Sequence, residues 1–298
     1  MDLISIDSLS DPQITTILDE GARWFEENRR GRSHDRLAGR IVCNLFYENS
    51  TRTMMSFSVA AHRLGADVVT LPVERSSVKK GETLEDTART LNAMRPDLLI
   101  FRHGEDGAPE RIVDIMGCPL VNAGDGTNEH PTQALLDAAT IRSHFGRLEG
   151  LKVAICGDIK HSRVAHSNMK LLPRLGCELR LGGPGRLMPE GIERLSVDEA
   201  IEGADLVMML RVQRERLSED LGDAPGEYLK RYGLTPERLA RASPDAAVMH
   251  PGPINRGVEI EDSVADDPAR SLIKLQVEHG IAVRMACLDL LAGKNSSA

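Results

Sequence analysis

Ser50-Thr51-Arg52-Thr53 puts three hydroxyls and a guanidinium where one periodicity gives way to another. Ahead of it runs Ile41-Val42-Cys43-Asn44-Leu45-Phe46, short and apolar enough for a buried strand. Behind it Met54, Phe57, Ala61 and Leu64 recur at helical spacing. The tetrapeptide therefore opens a helix, where unpaired backbone N–H groups and the helix dipole attract anions. Arg52 adds a planar fork that matches phosphate oxygens. Taken alone, the four residues read equally well as a Ser/Thr cap with a solvated Arg. Further groups of the same chemistry follow in order. Ser76 to Gly81 reads Ser-Ser-Val-Lys-Lys-Gly, and Arg102-His103 closes a strand-like run. His130-Pro131-Thr132-Gln133 comes after the turn Gly124-Asp125-Gly126, and Arg163 after Gly157-Asp158. Arg211-Val212-Gln213 and His250-Pro251-Gly252-Pro253 each end a later apolar run.

The elements that must hold these groups alternate. Strand-like runs at 41–46, 66–71, 98–102 and 119–122, then 152–156, 178–181, 205–210 and 246–249, are separated by helix-like ones. This pattern predicts an α/β chain of two doubly wound parallel-sheet domains. In open α/β sheets ligands gather at the carboxyl ends of strands, and each group named above lies just past such an end or in a connecting loop. The expected division is 1–130, 131–270 and a C-terminal helix within 271–298. The first junction falls at the helix that begins after Pro131. Residues 214–234, charged and carrying Gly222, Pro225 and Gly226, read as a mobile loop or a plain solvated connection. Thr235-Pro236-Glu237 then provides a cap, a first-turn proline and an early acid for a helix start.

At 298 residues, with 41% hydrophobic and 28% charged residues, the chain suits a soluble protein of about two domains. Its start, Met-Asp-Leu-Ile-Ser, lacks a basic segment with a long apolar run. No stretch approaches the about 18 apolar residues of a membrane span. A cytoplasmic protein that does not engage membranes is expected. Cys43, Cys118, Cys156, Cys177 and Cys287 are scattered singly in mostly apolar contexts, which favours buried free thiols over metal or redox roles. A net charge of −8 argues against nucleic-acid binding. Anionic ligands then require local convergence of cations, for which Arg52, Lys80, Arg102, Arg163 and Arg211 are available.

The ordered set of motifs, from about residue 38 to residue 292, resembles the catalytic chains of the aspartate carbamoyltransferase family. The resemblance implies transfer of the carbamoyl group of carbamoyl phosphate to the amine of L-aspartate, with no metal and no organic cofactor. It assigns carbamoyl phosphate to Ser50, Thr51, Arg52, Thr53, Ser76, Arg102, His130, Gln133, Gly252 and Pro253, with Gly252 acting through its carbonyl. Among these, Arg52 would stabilise the leaving phosphate, and Thr53, Arg102 and His130 would donate to the carbonyl oxygen. Gln133 would meet the carbamoyl nitrogen. Lys80, Arg163, Arg211 and Gln213 would hold aspartate, Arg163 at the α-carboxylate and Arg211 with Gln213 at the side-chain carboxylate. The resemblance also implies that interdomain helices join the two domains. It implies a homotrimer in which Ser76 and Lys80 reach a neighbour's site, and leaves open a larger assembly with a regulatory chain or dihydroorotase. By composition alone Lys80 belongs to a solvated loop, and His130 reads as readily as a structural histidine in a tight turn. His103, His161 and His166 are ordinary helix or turn residues on this reading.

Three other readings fit less well. An ornithine carbamoyltransferase would share the first motifs, but a cationic side chain on the substrate would be repelled by Arg211. A dinucleotide-binding dehydrogenase needs Gly-x-Gly-x-x-Gly after the strand, whereas Gly157 is followed by Asp158-Ile159-Lys160. A non-catalytic scaffold homologue would have lost members of the cationic set, and none is missing. Val78 and Gly252-Pro253-Ile254-Asn255 depart from forms found in some family members, with little effect expected on the chemistry.

Overall fold

Six residues of near-continuous apolar character make Ile41–Phe46 a strand buried on both faces, as parallel sheets require. The computed structural model describes residues 1–71, 81–212 and 226–292. In chain order the first elements are α1 (Asp11–Arg29), β1 (Ile41–Phe46), α2 (Thr51–Arg63), β2 (Asp67–Leu71), α3 (Leu84–Ala93), β3 (Leu98–His103), α4 (Ala108–Ile112) and β4 (Leu120–Asp125). Then come α5 (Pro131–Phe145), β5 (Lys152–Cys156), α6 (Arg163–Arg174), β6 (Glu178–Gly182), α7 (Val197–Ile201) and β7 (Leu206–Met209). The last are α8 (Glu227–Tyr232), α9 (Pro236–Leu239), β8 (Ala247–Met249), α10 (Asp262–Ala265) and α11 (Ile273–Ala292). Two compact units result, Met1–Ala139 with Glu278–Ala298, and Thr140–Val277. The division falls within α5 and within α11, so two helices join the units.

Each unit is built on a four-stranded parallel sheet, ordered β2-β1-β3-β4 in the first and β6-β5-β7-β8 in the second. In both, the chain leaves the first strand, adds an edge strand on one side, then returns to the other side. The direction of winding therefore reverses between β1 and β3, and again between β5 and β7. Cys43 and Leu45 of β1 and Leu99 and Phe101 of β3 pack beneath Leu84, Ala88 and Leu91 of α3. In the second unit Ala154, Cys156, Val207, Met209 and Val248 pack against Val197, Ala200 and Ile201 of α7. All five cysteines are free and buried, as their apolar contexts suggest. Burial pushes the Cys156 and Cys287 thiols up to about 12, which keeps them protonated and unreactive near neutrality.

The α/β class, the parallel sheets and the strand positions agree with the sequence pattern. The 214–234 reading needs correction where the structure describes it. Residues 227–232 form α8, with Gly226 in the left-handed region at φ 85° as its N-cap. The ring of Tyr228, buried with Leu187 and Val212, supplies the apolar anchor that a solvated connection lacks. Among the described residues no helix is long and apolar enough to cross a membrane.

Candidate active site

In the first unit, candidate residues collect at the winding reversal between β1 and β3, where open α/β sheets place ligands. The ends of the two strands are neighbours, since Phe46 pairs with Arg102 and the Tyr47 N–H donates to the Arg102 carbonyl at 2.9 Å. Ser50 precedes α2 at φ −152°, ψ 89°, and its side chain makes no capping hydrogen bond. The cap reading of this serine therefore does not hold. Thr53 is buried in the first turn, while Thr51 and Arg52 are exposed. Arg102 projects from the end of β3, with Nη1 donating to the Ala123 carbonyl at 3.0 Å and Nη2 pairing with Glu48 at 3.1 Å. Glu48 lies in the turn between β1 and α2, so one carboxylate links both halves of this cluster.

His130 owes its position to a buried carboxylate. Asp125, at the end of β4, accepts from Asn122 Nδ2 (2.8 Å) and the Glu129 N–H (3.2 Å) through Oδ1. Its Oδ2 accepts from the Gly107 N–H (2.8 Å) and Asn128 Nδ2 (2.9 Å). The turn Gly124-Asp125-Gly126 is thus folded around one side chain, and Gly126 takes φ +44° where a Cβ would lie 2.7 Å from the Asp106 backbone nitrogen. His130 is 4% exposed, and its carbonyl accepts from the Gln133 N–H at 2.9 Å as α5 begins. Gln133 lies in the first turn of α5, and its Nε2 donates to Asp137 Oδ1 at 3.0 Å.

The second unit repeats the arrangement. Between β5 and β7 the chain reverses at Gly157, where φ is +125° and a Cβ would meet the Leu210 carbonyl oxygen at 2.9 Å. Only glycine allows β5 and the end of β7 to approach so closely. The buried Asp158 then accepts from the His161 N–H at 3.2 Å and contacts the His161 Nδ1 at 2.8 Å, fixing the turn into α6. Ser162 caps that helix by accepting from the Ala165 N–H at 3.2 Å. Arg163, the first residue of α6, is only 7% exposed. Arg211 follows β7 and is half-buried.

Beyond β8, His250 shapes the Gly252-Pro253 turn. The Gly252 N–H donates to Nδ1 at 2.8 Å, so the ring proton resides on Nε2, which donates to Glu259 Oε1 at 3.2 Å. Gly252 takes φ 66° ahead of a cis peptide bond to Pro253. Glu259 Oε1 also accepts from the Asn255 N–H at 2.5 Å. Burial, then the Asp158 and Glu259 carboxylates, push the nearby Tyr228 hydroxyl well above its ordinary range.

Within the first unit the structure thus gathers Ser50, Thr51, Arg52, Thr53 and Arg102 at one reversal, with His130 and Gln133 past the next strand. Within the second it gathers Arg163 and Arg211 at one reversal, with Gly252 and Pro253 past the next strand. Ser76, Lys80 and Gln213 lie outside the described residues. His103 has structural contacts: its Nδ1 accepts from the Glu105 N–H at 3.0 Å, its ring stacks on Phe101, and burial lowers its pKa. Sequence reasoning overlooked Glu48, Asp125 and Asp137. The Gly-Asp-Gly turn pointed to Asp125, because Asp in turns bonds to nearby backbone, and the i,i+4 spacing from Gln133 pointed to Asp137; nothing local pointed to Glu48. Among the described residues no group of three or more His, Cys, Asp or Glu side chains is gathered as metal ligands are.

The family of aspartate/ornithine carbamoyltransferases matches in two parts, its carbamoyl-P binding domain over residues 1–143 and its Asp/Orn binding domain over residues 149–291. A relative from Rhizorhabdus wittichii, an aspartate carbamoyltransferase catalytic subunit, is 57% identical over 97% of this chain and 94% of its own. One from Granulibacter bethesdensis, of the same description, is 56% identical over 99% and 95%. Aspartate transcarbamoylase from Trypanosoma cruzi, solved with carbamoyl phosphate and aspartate, superimposes with a TM-score of 0.87 at 33% identity, covering 97% of this chain and 95% of that one. Ornithine carbamoyltransferase from Pyrococcus furiosus gives 0.88 at 27% identity, covering 98% and 97%.

Proposed function

Because the chain belongs to the aspartate/ornithine carbamoyltransferase family, we propose that it carbamoylates L-aspartate. It transfers the carbamoyl group of carbamoyl phosphate to the aspartate amine, giving N-carbamoyl-L-aspartate and phosphate, a step of de novo pyrimidine biosynthesis. The observation that carries the choice of aspartate is the pair of guanidiniums at the reversal between β5 and β7. Arg163 follows one strand and Arg211 the other, two separated cations for two carboxylates. Ornithine would place a cation against Arg211.

In the reaction the amine attacks the carbamoyl carbon, a C–N bond forms, and a tetrahedral oxyanion develops. The C–O bond to phosphate then breaks and the amine sheds a proton. Ser50, Thr51, Arg52 and Thr53 bind the phosphate at the opening of α2, and Arg52 meets the charge that grows as it leaves. Thr53, Arg102 and His130 donate to the carbonyl oxygen, Gln133 meets the carbamoyl nitrogen, and the Gly252-Pro253 turn offers a backbone carbonyl. Arg163 takes the α-carboxylate and Arg211 with Gln213 the side-chain carboxylate, while Ser76 and Lys80 come from a neighbouring subunit of a cytoplasmic homotrimer. Residues 1–130 serve as the carbamoyl phosphate domain and 131–270 as the aspartate domain. The Glu48 and Ala123 contacts that aim Arg102 support its role, as does the uncapped Ser50.

The experiment is a competition of acceptors. With carbamoyl phosphate present, L-aspartate is consumed and L-ornithine is not, read as phosphate release and product mass. Comparable turnover with ornithine overturns the assignment.

A further inference from the structure

Gln133 is 9% exposed, and one turn deeper along α5 stands Asp137, fully buried. Gln133 Nε2 donates to Asp137 Oδ1 at 3.0 Å. Behind them, on α11, Arg284 is 4% exposed, and its Nη1 donates to Ser56 Oγ at 2.8 Å while the guanidinium lies over the Phe57 ring at 4.9 Å. Burial lowers the Arg284 pKa to about 10, opposed first by Cys287 and then by Asp137, so Arg284 remains a cation at neutral pH. A buried carboxylate is costly without such company, yet this one is kept directly behind a side chain at the opening of α5.

The chemistry of the pair sets a direction. A carboxamide has one donor end and one acceptor end, and an ionised carboxylate can only accept. Asp137 therefore claims the Gln133 nitrogen and leaves Gln133 Oε1 as the end available to a ligand. That oxygen can accept from an N–H group and gains nothing from a methyl group. We propose that Asp137 is a positioning residue that fixes the Gln133 amide so that the site selects an acyl phosphate bearing an N–H2 group over one bearing a methyl group. The inference rests on the carbamoyl phosphate reading of Gln133 given above. It adds a residue, never in contact with substrate, that sets donor selectivity through the direction of one hydrogen bond.

Acetyl phosphate is the probe, since it shares the phosphate and carbonyl of carbamoyl phosphate and replaces N–H2 with methyl. The intact enzyme is assayed for carbamoyl transfer to L-aspartate, with acetyl phosphate and inorganic phosphate as competitive inhibitors. Asp137→Asn presents a donor that can turn the Gln133 amide around. It should raise KM for carbamoyl phosphate about tenfold, the scale of one hydrogen bond, while both inhibition constants stay within about twofold. Gln133→Leu should show the same selective loss, and Asp137→Asn added to it should bring no further loss of preference. Asp137→Glu keeps a purely accepting group and should retain the preference within about threefold. If Asp137→Asn does not fold, Asp137→Ala, which removes the acceptor, decides the matter and should show the same selective loss. An unchanged preference in Asp137→Asn, a parallel loss of all three ligands, or an added loss in the double variant overturns the proposal. Absence of carbamoyl transfer to aspartate by the unaltered enzyme overturns the functional reading, and this inference falls with it. Normal transfer with unaltered selectivity overturns the inference alone.

Discussion

Arg52 and Arg163 each stand in the first turn of a helix, where the dipole makes a cation unfavourable by about 0.3–1 kcal/mol. An anion held between the guanidinium and the helix end reverses the sign of that interaction, which is a physical reason to keep arginine there. The two residues nevertheless differ in what a substitution should change. Arg52 is assigned to charge that grows as phosphate leaves, so Arg52→Ala should lower kcat by about 10²–10³ with a much smaller rise in the carbamoyl phosphate KM. Steady-state kinetics over both substrates checks this, and a loss confined to KM would make Arg52 a uniform phosphate binder. Arg211 is assigned to a carboxylate that does not react. Arg211→Ala should therefore raise the aspartate KM, by about 1.5–3 kcal/mol of lost charge-assisted bonding, with carbamoyl phosphate binding unaffected. An unchanged aspartate KM would remove Arg211 from the site.

At the scale of elements, the second site depends on how closely the ends of β5 and β7 approach. Gly157→Ala adds a Cβ at φ +125°, 2.9 Å from the Leu210 carbonyl, and backbone strain of this kind costs about 1–3 kcal/mol. The displaced backbone leads to Arg211 on one side and Arg163 on the other. The variant should melt earlier than the parent and bind aspartate more weakly, while its carbamoyl phosphate KM is unchanged. A lower melting temperature with unaltered aspartate binding would leave Gly157 a folding residue only. The strands were legible because buried parallel strands are continuous apolar runs; β5 spans Lys152–Cys156, the residues its pattern indicates. The opening of α5 at Pro131 and the glycine turn before Arg163 were legible for similar local reasons. Helix α1 went unread although Ser10 and Gln13 form a capping box at its start. Helix α8 was hidden because Glu227, Lys230 and Arg231 outweigh the buried Tyr228 in composition. Asp125 holds Gly107, 18 residues away in sequence, and no local pattern reports such a partner. The same limit hid Glu48 behind Arg102 and Arg284 behind Asp137.

At the scale of the whole molecule, the proposed trimer makes a prediction about lesions in different chains. The proposal gives each site Arg52 from one chain and Lys80 from its neighbour, so neither chain alone completes a site and a dissociated monomer should be inactive. Arg52→Ala and Lys80→Ala should each nearly abolish activity when assembled alone, because every interface then carries one lesion. In a cyclic trimer the interfaces are heterologous, each joining one face of a chain to the other face of the next. Mixed chains therefore gather both lesions at some interfaces and leave others intact. An interface is intact when the chain donating Arg52 carries only the Lys80 lesion and its neighbour carries only the Arg52 lesion. With equal amounts and random assembly, each condition holds for about half the chains, so about one interface in four is intact. Dissociating the two variants, mixing them and reassembling should restore activity toward that fraction, and native mass measurement should show hybrid trimers in the active sample. Lesions within one chain's own site cannot complement in this way, because every site would still carry one. If hybrids form and activity does not return, Lys80 acts within its own chain and the shared site is wrong.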